Sequence, residues 1–406
     1  MTEPTANVHP FGTARDPQAD ERRRLRVAVV SESPIGDMNG VTSSVRQTLK
    51  HLRAAGHEAI VVCPKPAPKR FAGFEVVTTN SIPFQGFNLG VPGPRKVLNV
   101  LTRFAPDVVH VASPAWTIGR TGLTSARLLG IPAVAVYQTD IPRYSRRFRN
   151  RLITQQTEQW MAQLHSLATR NLVPSTSSQR DLIRFGIDES TVHLWGRGVD
   201  TERFHPRRRQ SDEVQALRAK ILGGRDRPIV GYVGRLAFEK QVERLHALRD
   251  LDATLVVVGD GPMRPALESL LPKDTVFLGE LRGGKLANAY AALDVFVHSG
   301  SQETFGQTLQ EAMASGLPVV APAAGGPLDI VQHGETGFLF DPASDADLRT
   351  SVERLVVDPH LRARAGARGR VAVEGRSWSA ICGQLVDHYR AAIAQVSGAV
   401  QLDEAA

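Results

Sequence analysis

This 406-residue chain has few cysteines, and it lacks both long apolar runs and a glycine-rich dinucleotide fingerprint. Its two cysteines, Cys63 and Cys382, lie far apart and lack metal-site spacing, which argues against a disulfide framework and against a zinc site. We expect both to be small buried hydrophobic side chains. No apolar run approaches the ~20 residues that span a bilayer. The missing GxGxxG pattern argues against a dehydrogenase.

Acidic residues are fewer than basic ones. The chain has 49 lysines and arginines against 41 aspartates and glutamates, a formal net charge of +8. Such an excess suits an anionic ligand, an anionic membrane surface or nucleic acid. Because no RNA- or DNA-binding motif accompanies it, nucleic acid ranks last, and we expect none as a partner.

Length and the alternation of strands with helices predict an α/β fold with two Rossmann-like domains. At ~100–200 residues per domain the chain holds two, each able to bury a core. Both domains would present the carboxyl ends of parallel strands to a cleft between them. We expect a disordered polar leader at 1–24, a first domain at 25–199, a second domain at 200–376, a helix crossing back to the first domain at 377–396, and a tail at 397–406.

Runs rich in β-branched residues mark the strands, as expected where both faces of a sheet are buried. In the first domain the predicted strands are Leu25–Ser31, His57–Cys63, Asp107–Ala112, Ala133–Gln138, Asn171–Ser175 and Thr191–Trp195. In the second they are Pro228–Arg235, Thr254–Pro262, Thr275–Leu281, Val295–Gly300, Pro318–Pro322 and Gly337–Phe340. Helices are predicted from about Val41 to Ala55 and around Gln241–Leu251.

The segment His298–Gly316 carries the most informative pattern. Glu303 and Glu311 lie eight residues apart, around a turn that precedes a helix and the next strand. A loop carboxylate can hold sugar hydroxyls, a helix N-terminus attracts a diphosphate, and a second carboxylate two turns on can reach ribose hydroxyls. The turn residues expected around the diphosphate are Thr304, Phe305, Gly306 and Gln307. On spacing alone, an amphipathic surface helix with two solvated acids explains the pattern equally well.

Charged and glycine-rich loops follow other strands of the second domain. Gly234 and Arg235 end its first strand, and Lys240 lies five residues after Arg235, so the two cations could clamp phosphates. Glu239 between them leaves a surface salt bridge as the alternative. Asp260 and Gly261 end the next strand and could line the nucleotide pocket, although a plain Asp-Gly turn explains them too.

Polar residues also follow strands of the first domain. Asn39 and Gly40 close a glycine-containing loop that opens a helix, which allows the backbone to approach a ligand closely. Gln138, Thr139 and Asp140 end a later strand and are expected to face the cleft. His110 lies within an apolar strand, and we favour a core position for it.

Two segments mix basic and apolar residues, as a lipid-facing surface would. The first, Pro142–Arg151, contains five arginines beside Tyr144 and Phe148, and its membrane patch is Arg143, Arg146, Arg147 and Arg149. Near an anionic membrane each basic residue contributes about 1 kcal/mol. The second is Pro83–Arg103. An ordinary solvated face explains both segments equally well.

Taken in order, these motifs resemble retaining glycosyltransferases of family 4, which have the GT-B fold. The resemblance covers Leu25 to about Val396, through GYVGRLAFEK, VVVGDGP, HSGSQETFGQTLQEAMASGLPVVA and AAGGPLDIVQHGETGFLF. It implies that the first domain takes an acceptor and the second a nucleotide sugar. It also implies that Arg235 and Lys240 stabilise the departing diphosphate, Glu303 holds the donor sugar, Glu311 binds ribose, and Gly40 lies near the phosphates or acceptor.

The stretch YQTDIPRYSRRF is most similar to actinobacterial GDP-mannose-dependent α-mannosyltransferases of glycolipid synthesis. This resemblance implies transfer of α-mannose from GDP-mannose to a membrane glycolipid or phosphoinositide. A UDP-sugar-dependent glucosyl- or sulfoquinovosyltransferase on diacylglycerol is the alternative, and a sugar-nucleotide-binding protein or epimerase is a further one. Many relatives have a His-Thr pair where this chain has Gln138 and Thr139, which puts any histidine role there in doubt.

Because Arg235 and Lys240 can neutralise a diphosphate, no tightly bound cofactor is expected and a divalent metal is not obligatory. The resemblance implies a cytoplasmic protein, with peripheral attachment to the inner face of the plasma membrane left open. An anionic membrane surface is accordingly a candidate partner.

Overall fold

The structure, a computed structural model, describes residues 23–37, 39–84, 87–93, 95–142 and 150–403. Within these residues the chain forms two β-sheets, one from strands up to Leu194 and one from strands starting at Ile229, each flanked by helices. The predicted α/β fold with two Rossmann-like domains is confirmed. Of the predicted leader, residues 1–22 lie outside the described part of the chain.

The first sheet has nine described strands, with β1 (Arg26–Ser31) near its middle. The others are β2 (Glu58–Pro64), β3 (Arg70–Phe71), β4 (Phe74–Phe84), β5 (Phe87–Val91), β6 (Val108–Ala112), β7 (Ala133–Val136), β8 (Arg170–Val173) and β9 (Val192–Leu194). They lie in the order β3-β4-β2-β1-β6-β7-β8-β9, with β5 on β4. β1 runs parallel to β2 and β6, and Val27 to Val30 are fully buried, as its continuous apolar run predicts.

One edge of this sheet differs from the prediction. Strands β3 and β5 pair antiparallel with β4, and none of these three strands was predicted. Their mixture of polar and apolar residues lacks the β-branched run that identifies a strand buried on both faces. The second lipid-facing candidate, Pro83–Arg103, falls mostly on β5 and the helix after it.

The second sheet is wholly parallel. Its strands are β10 (Ile229–Val233), β11 (Thr254–Val258), β12 (Val276–Gly279), β13 (Val295–Val297), β14 (Val319–Pro322) and β15 (Gly337–Phe340), in the order β12-β11-β10-β13-β14-β15. All six were predicted, and β10, β11, β12 and β13 end two to four residues early. The residues beyond these ends form loops at the carboxyl edge of the sheet, where ligands of open α/β sheets bind.

Helices cover the faces of both sheets. In the first domain they are α1 (Gly40–Ala54), α2 (Lys96–Phe104), α3 (Thr117–Leu128), α4 (Arg151–His165) and α5 (Thr176–Arg184). Next come α6 (Asp212–Leu222), α7 (Arg264–Leu270), α8 (Gly283–Ala292), α9 (Gln307–Ala314), α10 (Pro327–Ile330), α11 (Asp345–Val357), α12 (Pro359–Glu374) and α13 (Trp378–Asp403).

The helix predicted around Gln241–Leu251 is not an α-helix. Two short 3₁₀ turns take its place, at Phe238–Lys240 and Val242–Leu248. Gln241 between them has φ of 49°, which interrupts helical hydrogen bonding.

Helix α13 belongs to the end of the chain but packs against the core of the first domain. Its side chains Leu385 and Tyr389 are fully buried among residues such as Val29 and Leu52. Trp195 donates its indole N–H to the carbonyl of Ile381, 2.9 Å away. The helix continues through Asp403, past the predicted end at 396, and 404–406 lie outside the described residues.

Three side chains predicted to be core residues are buried. Cys63 and Cys382 are free thiols inside the protein. His110 is 1% exposed, and its Nδ1 lies 2.9 Å from the hydroxyl of Tyr389. Burial lowers the pKa of His110 to about 4, so the ring is neutral at physiological pH.

The two domains also touch at the rim of the cleft. Asp329 of α10 accepts hydrogen bonds from the backbone N–H of Thr176, at 2.9 Å, and from its hydroxyl, at 2.5 Å. Val199 and Ser377 form a parallel bridge where the chain enters and leaves the second domain. These contacts hold the carboxyl edges of the two sheets toward each other.

Candidate active site

The loop between β13 and α9 carries Glu303 at the carboxyl edge of the second sheet. The backbone carbonyl of Glu303 accepts a hydrogen bond from Gly326 at 2.9 Å, and one carboxyl oxygen lies 2.8 Å from Lys240 Nζ. The other oxygen accepts from the backbone N–H of Phe305 at 3.3 Å. The carboxyl group is therefore held at both oxygens by neighbouring groups.

Opposing effects set the protonation of Glu303. Burial by itself raises its pKa, but the charge and hydrogen bond of Lys240, together with His298 and the Phe305 amide, outweigh burial and lower the pKa to about 2. Burial lowers the pKa of His298 to about 4, and its Nε2 lies 3.8 Å from the carboxylate. At neutral pH the pair is thus an anionic Glu303 beside a cationic Lys240.

Lys240 ends the first 3₁₀ turn after β10. Its backbone carbonyl accepts the hydroxyl of Ser299 at 2.9 Å, and Gly300 packs so closely that an added Cβ would meet the Lys240 backbone at 3.0 Å. Five residues earlier, Arg235 pairs with Glu239 at 2.7 Å, and its side chain is 59% exposed. Both cations follow the same strand, but in this structure only Lys240 contacts Glu303.

Helix α9 begins immediately after the loop. Gly306 occupies its N-cap with φ of 109°, which only glycine adopts without strain. Phe305 is buried and Thr304 is half-buried in the preceding turn. The first N–H groups of α9 therefore open beside Glu303, as the sequence predicts for a phosphate-binding end.

Glu311, one turn into α9, lies against Tyr290 of α8. The Tyr290 hydroxyl donates to its carboxylate at 3.0 Å. Burial raises the pKa of Glu311 to about 7, although hydrogen bonds from Tyr290 and Gln307 act in the opposite direction. The alternative of two solvated acids on a surface helix is therefore wrong for both glutamates.

The glycine loops after β10 and β11 meet each other. A Cβ at Gly261 would lie 2.4 Å from the Leu236 carbonyl, and Leu236 in turn donates its N–H to the Asp260 carbonyl. The side chain of Asp260 is 54% exposed, accepts its neighbour's N–H and pairs with Arg264. Gly234 lies between the two loops, next to the ring of Tyr232.

The first domain contributes the opposite wall. Asn39 caps α1 by accepting from Thr42, so that Gly40 opens the helix. Gln138 and Asp140 are buried just beyond β7, and the Thr139 hydroxyl lies 2.7 Å from that of Ser113. The predicted acceptor-side residues thus occupy the carboxyl edge of the first sheet.

Arg197 was not predicted and connects these walls. Its guanidinium donates to the Gly40 carbonyl at 2.9 Å and to Gln138 Oε1 at 3.0 Å. Its own carbonyl accepts from Gln310 of α9 at 2.9 Å. The only sequence signal is an arginine between two glycines after a strand, which is too common to identify a site.

Several predicted residues lie outside this arrangement. The membrane patch Arg143, Arg146, Arg147 and Arg149 falls outside the described residues. Among the residues that are described, no helix combines the length and the apolar character that crossing a membrane requires. Nor do three metal-ligating side chains gather anywhere in that part of the chain.

Two family models match the chain. One, described as glycosyl transferases group 1, covers residues 213–372, and the other, Glycosyltransferase Family 4, covers residues 38–203. The first match spans β10–β15, and the second contains most of the first sheet.

Similar proteins match over nearly the full chain. A GDP-mannose-dependent alpha-mannosyltransferase of Mycolicibacterium smegmatis is 45% identical over 92% of this chain and 99% of its own. One from Corynebacterium glutamicum is 39% identical over 92% of this chain and 90% of its own. The sulfoquinovosyl transferase SQD2 of Arabidopsis thaliana is 34% identical over 93% of this chain and 76% of its own.

Solved structures share the fold at lower identity. Sucrose-phosphate synthase from Thermosynechococcus elongatus superimposes with a TM-score of 0.75 at 23% identity, covering 92% of this chain and all of the other. Anabaena HepE in complex with UDP gives 0.74 at 20% identity, over 90% of this chain and 99% of its own. The chain therefore belongs to glycosyltransferase family 4, and its two Rossmann-like domains have the GT-B fold.

Proposed function

We propose that the protein transfers α-mannose from GDP-mannose to a membrane glycolipid or phosphoinositide, with retention of configuration. The observation that carries the proposal is the Lys240–Glu303 pair beside the N-terminus of α9. In this pair Lys240 would supply a cation for the diphosphate, and Glu303 would supply a carboxylate for the sugar hydroxyls. The relatives named GDP-mannose-dependent alpha-mannosyltransferases, 39% to 45% identical over most of the chain, support the choice of donor.

Charge stabilisation of the leaving nucleotide would supply most of the catalysis. As the glycosidic bond breaks, negative charge grows on the diphosphate, and Lys240, Arg235 and the α9 N-terminus would offset it. Arg235, whose side chain is 59% exposed, would exchange Glu239 for the phosphate, and surface ion pairs typically contribute only about 0–1 kcal/mol. No protein nucleophile is needed, since the leaving phosphate can take the acceptor proton on the same face of the sugar.

Individual roles follow from position. Glu303, ionised and fixed, would accept hydroxyls of the mannose, while Glu311 would reach the ribose. Gly234, Asp260, Gly261, Thr304, Phe305, Gly306 and Gln307 would line the donor. Asn39, Gly40, Gln138, Thr139 and Asp140 would face the acceptor.

The acceptor proposal rests on charge. The net charge of +8 and the arginines at 143–149 suit an anionic lipid surface, to which the protein would attach peripherally at the cytoplasmic face. Neutralisation of the diphosphate by Arg235 and Lys240 makes a resident metal unnecessary.

The test is donor discrimination by the purified protein. GDP-mannose, UDP-glucose and UDP-sulfoquinovose would be compared with a lipid extract as acceptor, with thermal shift as a parallel measurement. Selective stabilisation and product from GDP-mannose are expected, and NMR of the product should show the α-anomer. Donor consumption without any lipid product would contradict glycosyl transfer and favour an epimerase or a binding protein.

A UDP-sugar donor is the second candidate, and the 34% identity to SQD2 favours it specifically. Product from UDP-sulfoquinovose or UDP-glucose alone would keep the fold and the mechanism and change the donor. Because the nucleobase pocket distinguishes the candidates, GDP and UDP alone should stabilise the protein to different extents.

A further inference from the structure

Arg197 is a buried cation whose described partners are uncharged. The residue is 9% exposed, and its guanidinium bonds the Gly40 carbonyl and the Gln138 amide oxygen. Among the described residues, no carboxylate forms a salt bridge with it. Burial lowers the pKa of Arg197 to about 10, although the charge of Glu303 acts in the opposite direction, so it stays cationic at neutral pH. A buried charge held by neutral groups is costly, which points to a role in the site.

The contact with Arg197 fixes which end of the Gln138 amide faces the guanidinium. A guanidinium only donates hydrogen bonds, so the atom of the Gln138 amide that faces Arg197 must be its oxygen. The other arm of the amide is then an NH₂ group with two donors. In the described part of the chain this nitrogen forms no hydrogen bond, and it does not belong to the fully enclosed atoms without a partner. Gln138 thus holds its amide oxygen toward Arg197 and leaves its NH₂ group available as a donor at the carboxyl edge of β7.

We propose that Arg197 is a positioning residue that fixes the orientation of the Gln138 amide, whose N–H group binds an oxygen of a bound substrate. The oxygen is a sugar hydroxyl or a phosphate oxygen, carried either by the transferred sugar or by the acceptor. This inference rests on the proposed glycosyl transfer. Neither side chain titrates near neutral pH, so the locked pair contributes no ionisation to the pH profile between about pH 5 and 9.

Two substitutions of Gln138 give the sharpest test. Gln138→Glu keeps the size and strengthens the contact with Arg197, but it replaces the NH₂ donor with an oxygen. Gln138→Met removes the donor without adding charge. Both should lower kcat/KM by about ten- to a hundredfold, the range expected when a substrate group loses its hydrogen-bond partner. Full activity in the Met variant would overturn the proposal, because any loss in the Glu variant would then come from charge repulsion.

A matched control is Gln179→Glu in α5. Gln179 donates its amide N–H to the Val192 carbonyl at 3.3 Å, so this substitution also removes an amide donor, at a side chain outside the proposed site. This variant should keep the wild-type kcat/KM. An equal loss of activity in it would show that the substitution acts through the fold and would contradict a site role for Gln138.

Two assays identify which substrate carries the oxygen. Slow hydrolysis of the donor is measured without acceptor, and transfer is measured with it. If the oxygen belongs to the transferred sugar, the Gln138 variants lose both activities. If it belongs to the acceptor, they keep hydrolysis and lose transfer, with a raised KM for the acceptor. Either result supports the proposed donor role of the Gln138 amide, whereas unchanged rates in both assays overturn it.

Arg197→Lys tests whether Arg197 acts by orienting Gln138. A lysine keeps the charge but cannot hold Gly40 and Gln138 in one fork. It should lower kcat/KM at least tenfold in the wild-type background and less than threefold in the Gln138→Met background. Equal losses in both backgrounds would contradict action through Gln138.

Failure of this inference can be distinguished from failure of the proposed function. Wild-type protein establishes which donor is used, and the variants are then assayed with that donor. Binding of the free nucleoside diphosphate, followed by thermal shift, should be unchanged in every Gln138 variant. If wild type transfers no sugar from any donor, the proposed glycosyl transfer fails and the inference fails with it.

Discussion

At Glu303, burial and a neighbouring charge act on one carboxyl group in opposite directions. The charge and hydrogen bond of Lys240, together with His298 and the Phe305 amide, outweigh burial, so the carboxylate stays ionised at all physiological pH values. At Glu311 burial prevails over the hydrogen bonds from Tyr290 and Gln307 and raises the pKa to about 7. The two acids of one motif therefore differ by about five pKa units for a reason that only their surroundings supply.

Replacing Lys240 tests whether its charge stabilises the leaving diphosphate. Lys240→Met should lower kcat by about 10²–10³-fold, because the leaving diphosphate loses a preorganised positive charge. Steady-state kinetics with saturating donor measures the loss. Lys285→Met, at an exposed position on α8, is the control and should leave kcat unchanged. A Lys240 variant with wild-type kcat would contradict the proposed stabilisation of the leaving group.

Glu311 links stability to pH. Its folded-state pKa of about 7 lies above the ordinary 4.5, so its favourable contribution is complete below about pH 4.5 and is lost as pH rises through about 7. Glu311→Gln resembles the protonated acid, and it should be more stable than wild type at pH 8, by up to about 3 kcal/mol. Denaturant unfolding should show this gap closing by pH 5. Glu202→Gln, at an exposed site, should show no such change, and a constant gap for Glu311→Gln would contradict the linkage.

On the scale of elements, the loop before α9 is shaped by its contact with α10. The N–H of Gly326, at the start of α10, donates to the Glu303 carbonyl, and the Phe305 carbonyl lies against the Gly326 Cα. A Cβ at Gly326 would lie 2.1 Å from the Phe305 carbonyl oxygen, far below any real contact distance. The two segments are thus fitted together through a position that has room only for glycine.

Gly326→Ala should therefore displace the Glu303 loop. We expect a loss of stability of about 1–3 kcal/mol and a rise in the donor KM, because the backbone must move to accept the methyl group. Thermal unfolding and donor titration measure the two effects. Gly284→Ala is the matched control, since nothing lies within 4 Å of its Cβ and alanine favours the helix α8. Equal behaviour of the two variants would contradict the packing argument.

For the whole molecule, α13 closes the first domain with residues from the end of the chain. Ile381, Leu385 and Tyr389 lie in the core that β1, β2 and α1 build. The first domain therefore lacks part of its core until the chain has been completed. This arrangement makes folding of the first domain depend on residues about 200 positions after its last strand, β9.

A chain that ends at Arg376 tests this dependence. Each large buried side chain contributes about 2–5 kcal/mol, so losing three approaches the whole stability of a typical domain. We expect the shortened protein to aggregate or to lose the cooperative unfolding of its first domain in calorimetry. A chain that ends at Ser397 keeps the buried side chains from Ile381 to Ala392 and should unfold like wild type. A monomeric, fully active protein ending at Arg376 would contradict the role assigned to α13.

Local sequence was most informative where a segment is buried on both faces. The continuous apolar runs of β1, β6 and β10–β15 predicted parallel strands, and the glycine loops after them marked the carboxyl edges. The strands β3, β4 and β5 escaped prediction because an edge hairpin needs no continuous apolar run. The helix expected near Gln241 failed because the loop that delivers Lys240 to Glu303 requires a positive φ there.

By itself, the sequence determined the fold class, the order of the strands that are buried on both faces, and the residues Glu303, Glu311, Arg235 and Lys240 as candidates, because these depend on local pattern and spacing. Only the tertiary structure decided that Lys240 rather than Arg235 contacts Glu303, that burial raises the pKa of Glu311 to about 7, and that Arg197 bonds Gln138. The reason is physical: distances and burial between residues far apart in sequence set these charges, and spacing along the chain does not encode them.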